Sequence, residues 1–182
     1  MRDYIEQAHV TASDKFYGEA VPYEHFEEIL SDCISALKRL DVVKKALFYG
    51  KFPNRTLGRF RDLSGLPSII AEYSGDLLSD LEKSTNIIHA ILGKATEAGE
   101  LLEALESTIL VGLPFDFANA LEEVGDGLWY DALLLKAIGS NFEEAQRVNI
   151  AKLRQRFGEK FSEFDANNRD LFEERKILEN KG

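Results

Sequence analysis

Four acidic side chains are the residues in this sequence best suited to chemistry. They lie in two short motifs, Glu97-Ala-Gly-Glu100 and Glu123-Val-Gly-Asp126, each with two carboxylates three residues apart. In a helix, this spacing places both carboxylates on one face. Four carboxylates from two neighbouring helices repel one another unless a cation lies between them, and a hard divalent cation is the natural occupant. The sequence therefore predicts a metal site built from carboxylate oxygens.

Carboxylate ligation favours Mg²⁺, with Mn²⁺ as the alternative, and Mg²⁺ usually bridges protein carboxylates to phosphate oxygens. We therefore expect a phosphorylated substrate, a cation that polarises its phosphoryl group and activates water, and a spare carboxylate acting as base. Basic side chains that could bind phosphate oxygens are Lys94, one turn before the first motif, and Lys152 and Arg156 farther along the chain. Asn149 lies near these last two and could bind a phosphate or a base edge.

Two aromatic residues, Trp129 and Tyr130, follow the second motif. We expect them in the core and in the cleft wall, where an aromatic face could stack on a base. A di-iron carboxylate bundle is a second metal class, but it requires Glu-x-x-His on two helices. Only His9 follows a glutamate at that spacing, and His89 is expected to be a packed side chain. The histidines therefore do not support a di-iron site.

Apolar residues recur at helical spacing along most of the chain, and no period-two strand is evident. The fold class expected is an all-α helical bundle. Residues 50–67 are rich in glycine and proline and predict a loop with a helical turn. Capping residues and apolar periodicity predict the helices: Tyr23–Phe48, a short one after Pro67, Ser84–Leu110, one capped by Asp116 and closed by Gly139, and one opened by a capping box at Ser140-Asn141-Phe142-Glu143 and stopped by Gly158.

The two acidic helices are joined by a short turn, so we expect them to pack antiparallel and to bring their acidic faces together. The glycines inside the motifs, Gly99 and Gly125, indicate close approach of a helix or ligand. We divide the 182 residues into three parts. Residues 1–83 form an N-terminal helical extension of the same domain, 84–160 the catalytic helical core, and 161–182 a C-terminal helix or arm.

The net charge of −10 disfavours binding to nucleic acid or to an anionic membrane surface. Cys33 is the one cysteine, which excludes an intramolecular disulfide and fits a reducing compartment. The N-terminus lacks the apolar core of a signal peptide, and no apolar run approaches the roughly 20 residues of a membrane span. These observations predict a cytoplasmic location.

Both motifs, in their local context, resemble those of the MazG-like, all-α nucleoside triphosphate pyrophosphohydrolases, in which ExxE is followed by ExxD. The resemblance extends over residues 93–101 and 122–130, and to the basic segment 149–156. It covers roughly residues 87–157, and the arm through Arg175 is a possible continuation. The small phage-type members of the family carry N-terminal extensions similar to this one, which would place the protein in the cytoplasm of a host cell.

The resemblance implies Mg²⁺-dependent attack of water on the α-phosphorus of a nucleoside triphosphate, which releases the monophosphate and pyrophosphate. The four acids would hold the metal ions, with Lys152 and Arg156 on the phosphates and Asn149 near phosphate or sugar. Family members commonly form homodimers or homotetramers, so a homo-oligomer is also implied.

Two alternatives remain open at this point. The first is an enzyme of narrower specificity, which hydrolyses dUTP, dCTP, dGTP or a diphosphate, or is a phosphoribosyl-ATP pyrophosphohydrolase. The second is a helical interaction protein without catalysis. Four adjacent repelling carboxylates argue against the second, because a scaffold has no need of them.

Overall fold

A computed structural model describes residues 4–13, 15–51, 65–73 and 81–179. These residues form α-helices, with one short 3-10 turn at Gly18–Ala20, and contain no β-strand. The all-α fold class predicted from the sequence is therefore confirmed. In chain order the helices are α1 (Tyr4–Val10), α2 (Tyr23–Tyr49), α3 (Leu66–Tyr73), α4 (Leu81–Val111), α5 (Phe117–Ala137), α6 (Phe142–Phe157), α7 (Glu163–Asn167) and α8 (Leu171–Glu179).

The described residues divide into two compact units. One lies within Met1–Ala20 and Ser140–Gly182 and contains α1 and α6–α8; the other lies within Val21–Gly139 and contains α2–α5. The division into extension, core and arm stays a prediction. Within the described residues, no helical segment has both the length and the hydrophobicity that a bilayer span requires.

Local capping signals set the ends of α5 as predicted. The carboxylate of Asp116 accepts hydrogen bonds from the backbone N–H groups of Ala118 and Asn119, both at 3.0 Å. After the helix, Gly139 has a φ of 73°, a left-handed conformation that favours glycine. Side chain and backbone thus fix both ends of the helix that carries the second acidic motif.

The capping box at the start of α6 differs from the prediction by one residue. The N-cap is Asn141, whose side-chain oxygen accepts from the backbone N–H of Glu144 at 2.9 Å. Glu144 bends back, and its carboxylate accepts from the hydroxyl of Ser140 at 2.7 Å. Asn is as good an N-cap as Ser, so the N-cap lies one position later than in the predicted box from Ser140 to Glu143, and Glu144 bonds the Ser140 side chain.

Helix α4 is the central helix of its unit and packs against α2, α3 and α5. Two glycines allow close packing against it. A Cβ on Gly93 would lie 2.1 Å from the ring of Tyr130 in α5, and a Cβ on Gly99 would lie 2.9 Å from Cβ of Leu37 in α2. Gly99 therefore fits the predicted close approach, whereas a Cβ on Gly125 would meet no atom within 4 Å.

Outside the long helices, the agreement with the sequence-based expectations is partial. The short helix after Pro67 is present as α3, and the C-terminal segment forms two short helices, α7 and α8. Helix α1 was not expected. Most of the predicted loop at 50–67 lies outside the described residues.

Candidate metal centre

Three of the four predicted acids meet between α4 and α5. Glu97 and Glu100 of α4 and Glu123 of α5 each present a carboxylate oxygen, and these oxygens lie within 4.8 Å of one another. Glu97 and Glu123 are buried, whereas Glu100 is exposed. We call these three residues the carboxylate trio. Their convergence follows from the three-residue spacing in α4 and from the antiparallel return of α5.

The electrostatics of the carboxylate trio are unfavourable for three negative charges. Burial, together with the nearby charges of Glu100 and Glu97, raises the pKa of Glu123 to about 7. Burial and the charge of Glu97 also raise the pKa of Glu100. Like charges and desolvation both disfavour the ionised form, and a bound cation would reverse both effects.

The donor set fits a hard divalent cation. All three donors are carboxylate oxygens, close enough to share one ion, and the raised pKa values of Glu100 and Glu123 indicate that positive charge there would be favourable. Glu97, Glu100 and Glu123 would hold the ion. The fourth predicted ligand, Asp126, lies about one turn farther along α5 with an exposed side chain and is not part of the trio.

A lysine that the sequence did not single out reaches the carboxylate trio from α2. Lys44 is 4% exposed, and its Nζ donates to Thr96 Oγ1 at 2.7 Å and to Glu97 Oε1 at 3.1 Å. It also lies 3.2 Å from Asp41 Oδ1. Burial lowers the pKa of Lys44, but the hydrogen bonds to Glu97 and Asp41 outweigh it and raise the pKa above its usual value.

The sequence does contain a signal for Lys44. It lies in register with the apolar side of α2, seven residues after Leu37 and ten after the buried Ile34. A charged residue at such a position either extends to solvent or finds a buried partner. The partner comes from α4, more than fifty residues away along the chain, so no local pattern could identify it.

A cavity of about 660 Å³ opens beside the carboxylate trio, between α2, α4 and the start of α5. This volume falls within the usual range for small-molecule sites, about 300–1,000 Å³. Its basic side chain, Lys38, forms an ion pair with Glu103 at 2.7 Å. The other polar residues on its wall are Asp41, Thr96, Glu100, Ser107, Asp116 and Asn119.

The two aromatic residues after the second motif have different environments. Tyr130 is 5% exposed, and its hydroxyl lies 3.3 Å from that of Tyr49, so it belongs to the core. Trp129 is 55% exposed. Both rings contact His89, which stacks on Phe48 with ring centroids 4.0 Å apart.

His89 is a packed side chain, as expected. Burial and, to a lesser degree, the charge of Lys44 lower its pKa, which favours the neutral imidazole. Among the described residues its Nε2 atom is buried without a hydrogen-bond partner.

Three of the four predicted phosphate-binding residues, Lys94, Asn149 and Arg156, form contacts with other side chains. Lys94 forms an ion pair with Asp131. In the unit of α1 and α6–α8, Asn149 accepts a hydrogen bond from the hydroxyl of Tyr4 at 3.3 Å. Lys152 is half-buried. A role for any of them in binding phosphate stays a prediction.

Arg156 has the most extensive of these contacts. Its guanidinium donates two hydrogen bonds to the buried carboxylate of Glu174, at 2.7 and 2.6 Å. Arg169 donates to the same carboxylate at 2.7 Å. Hydrogen bonds from Arg156 and Arg169 lower the pKa of Glu174 to about 2. Arg156 thus links α6 to α8.

Comparisons of the chain with protein-family models, with curated proteins and with solved structures found no match.

Proposed function

We propose that the chain is a metal-dependent nucleoside triphosphate pyrophosphohydrolase of the MazG-like type. The observation that carries the proposal is the carboxylate trio, in which three oxygens from α4 and α5 lie within 4.8 Å and are partly buried. The single ammonium of Lys44 does not balance three carboxylates, so such a cluster favours a further bound cation. Mg²⁺ or Mn²⁺ bound there would polarise a phosphoryl group and lower the pKa of a water molecule.

The reaction is hydrolysis of one phosphoanhydride bond. The water oxygen bonds to the α-phosphorus, the bond from that phosphorus to the bridging oxygen breaks, and pyrophosphate leaves as the nucleoside monophosphate forms. The proton lost by water passes to a carboxylate or to bulk solvent.

The cavity beside the carboxylate trio is the proposed place for the nucleotide. Its volume suits a ligand of this size, and Glu100 is common to its wall and to the trio. Asp116 and Asn119 offer hydrogen-bonding groups for a base or sugar, and Lys38 offers a positive charge for a phosphate. The base preference then depends on these walls.

The test is product analysis with a panel of common and modified nucleoside triphosphates and diphosphates, in Mg²⁺ or Mn²⁺, with pyrophosphate resolved from orthophosphate. We expect a monophosphate and pyrophosphate from at least one triphosphate. In ¹⁸O-labelled water, the label should enter the monophosphate, because attack is at the α-phosphorus. Absence of turnover across the panel, or release of orthophosphate alone, would overturn the proposal.

A narrower specificity is the first alternative and is resolved by the same panel. Turnover restricted to dUTP, dCTP, dGTP or a diphosphate, or to phosphoribosyl-ATP when that is added, would identify it. The acidic wall formed by Glu103 and Asp116 favours a base with exocyclic amino groups, because carboxylates accept hydrogen bonds but do not donate them.

The second alternative is a helical interaction protein without catalysis. The observation that favours it is a row of exposed apolar side chains along α5, formed by Phe117, Leu121, Val124 and Leu128. The same row also supports the homodimer or homotetramer that we propose for the enzyme, since large exposed apolar patches mark interaction surfaces. Turnover separates the two functions. The cytoplasmic location stays a prediction.

A further inference from the structure

Lys44 supplies a buried positive charge at the edge of the carboxylate trio. Its ammonium group lies 3.1 Å from Glu97 Oε1, and among the described residues it is the basic group that forms an ion pair with the trio. The hydroxyl of Thr96 accepts a second hydrogen bond from it at 2.7 Å and itself donates to the carbonyl of Gly93 at 2.8 Å. These contacts fix the ammonium in place.

The neighbouring lysine has a different environment. Lys45 pairs with the other oxygen of Asp41, and its side chain is 43% exposed, against 4% for Lys44. Asp41 bridges the two lysines, since its Oδ1 lies 3.2 Å from Lys44 and its Oδ2 pairs with Lys45. The charges of Asp41 and Lys45 cancel in the sum for the site, which leaves one positive charge to balance the carboxylate trio.

The charge balance of the site depends on this ammonium. Three carboxylates, one ammonium and one divalent cation sum to zero net charge. A second divalent cation would leave the site with two net positive charges in a partly buried volume, which is unfavourable.

We propose that Lys44 is a built-in counter-ion of the carboxylate trio, so that the nucleotide-free protein binds one divalent cation per chain rather than two. Lys44 is a positioning residue, because it holds the Glu97 carboxylate through one of its oxygens. The inference rests on the metal-binding part of the proposed function. The ammonium of Lys44 also repels the bound cation, so loss of this charge strengthens metal binding.

The experiment is equilibrium dialysis of the full chain against Mn²⁺, with free Mn²⁺ measured by electron paramagnetic resonance and without nucleotide. The variants are Lys44→Gln, which removes the charge but keeps hydrogen-bonding groups, and Lys44→Arg, which keeps the charge. Arg39→Gln is the control, since it removes an exposed positive charge of α2 that does not pair with the trio. Circular dichroism checks the fold of each.

We expect one Mn²⁺ per chain in the wild type, in Lys44→Arg and in Arg39→Gln, with similar dissociation constants. Lys44→Gln should bind Mn²⁺ about tenfold more tightly or more. A purely structural role would leave the affinity unchanged or weaken it. That result in a folded variant would overturn the proposal, as would two Mn²⁺ per chain in the wild type, which decides the matter even if Lys44→Gln does not fold.

Pyrophosphate release, measured separately, distinguishes this inference from the proposed function. One Mn²⁺ per chain without turnover of any nucleotide would overturn the proposed enzymatic function but support the role of Lys44 as counter-ion. Turnover, together with two Mn²⁺ per chain in the nucleotide-free protein, would support the enzymatic function and overturn the role of Lys44 as counter-ion. No Mn²⁺ binding to the wild type would overturn both.

Discussion

Glu123 is a buried carboxylate of the trio whose ionised form is disfavoured by burial and by its acidic neighbours. Burial and the charges of Glu100 and Glu97 raise its pKa to about 7. We expect Glu123→Gln to reduce pyrophosphate release by about a hundredfold or more, because the proposed metal ion would lose one of its ligands. At alkaline pH and without metal, the unfolding temperature of the variant should equal or exceed that of the wild type, because one repelling charge is gone.

The matched control is Glu122→Gln, which removes an exposed carboxylate one residue away and outside the trio. This variant should keep its activity and its Mn²⁺ affinity. Thermal denaturation and pyrophosphate release measured side by side test both. Full activity in Glu123→Gln would remove this residue from the site.

The sequence predicted the residues of the carboxylate trio because their spacing is local. Side chains three residues apart in a helix lie on the same face, and a short turn places the next helix alongside the first. The ammonium of Lys44 could not be predicted in this way, since its position depends on how α2 packs on α4. Nor could the pairing of Arg156 with Glu174, which holds side chains eighteen residues apart in two different helices.

At the scale of helices, two glycines on either side of the trio should respond in opposite directions to alanine. Gly93→Ala should destabilise the fold by about 1–3 kcal/mol, because its Cβ would lie 2.1 Å from the Tyr130 ring. Gly125→Ala should stabilise it by about 1 kcal/mol, because the site is open and alanine is the better helix former. Urea denaturation of both variants gives the two values, and equal effects would contradict the packing of α5 on α4.

The contact between α6 and α8 should be sensitive to acid. Hydrogen bonds from Arg156 and Arg169 lower the pKa of Glu174 to about 2, below its usual range near 4.5. A lowered carboxyl pKa contributes stability that is present above the unfolded value and lost as the pH falls towards the folded value. Helical content and unfolding temperature should therefore fall between about pH 4.5 and about pH 2.

Glu174→Gln isolates this effect. The variant should be less stable than the wild type at neutral pH, because two guanidinium groups lose their charged partner, and the difference should shrink as the pH falls. Glu173→Gln is the control, since Glu173 is an adjacent acid that pairs with Lys176 nearer the surface. Circular dichroism across this pH range measures both. A constant difference at all pH values would contradict the assignment.

Long helices were predictable where periodicity and caps agree. Asp116 and Gly139 mark the two ends of α5 both in the sequence-based prediction and in the structure. The seven-residue α1 has no such pattern. Short helices are marginal by themselves and form through tertiary contacts, here a hydrogen bond between Gln7 and Arg154 and another between Tyr4 and Asn149. A single sequence does not display these contacts.

At the scale of the whole molecule, the exposed row on α5 should mediate self-association. Phe117, Leu121, Val124 and Leu128 recur at helical spacing on one face, and the exposed fractions of Phe117 and Leu121 are 80% and 74%. The net charge of −10 opposes association of identical chains, and salt screens this repulsion. Association driven by the apolar row should therefore strengthen as the salt concentration rises.

Leu121→Glu tests this surface, because it places a charge in the middle of the apolar row without changing the packing of the core. We expect sedimentation velocity to show an oligomer for the wild type and a monomer for the variant. Ile5→Glu is the control, since Ile5 is equally exposed at 73% but lies on α1, outside the row. A monomeric wild type at high salt, or an oligomer that Leu121→Glu leaves intact, would show that α5 does not form the interface.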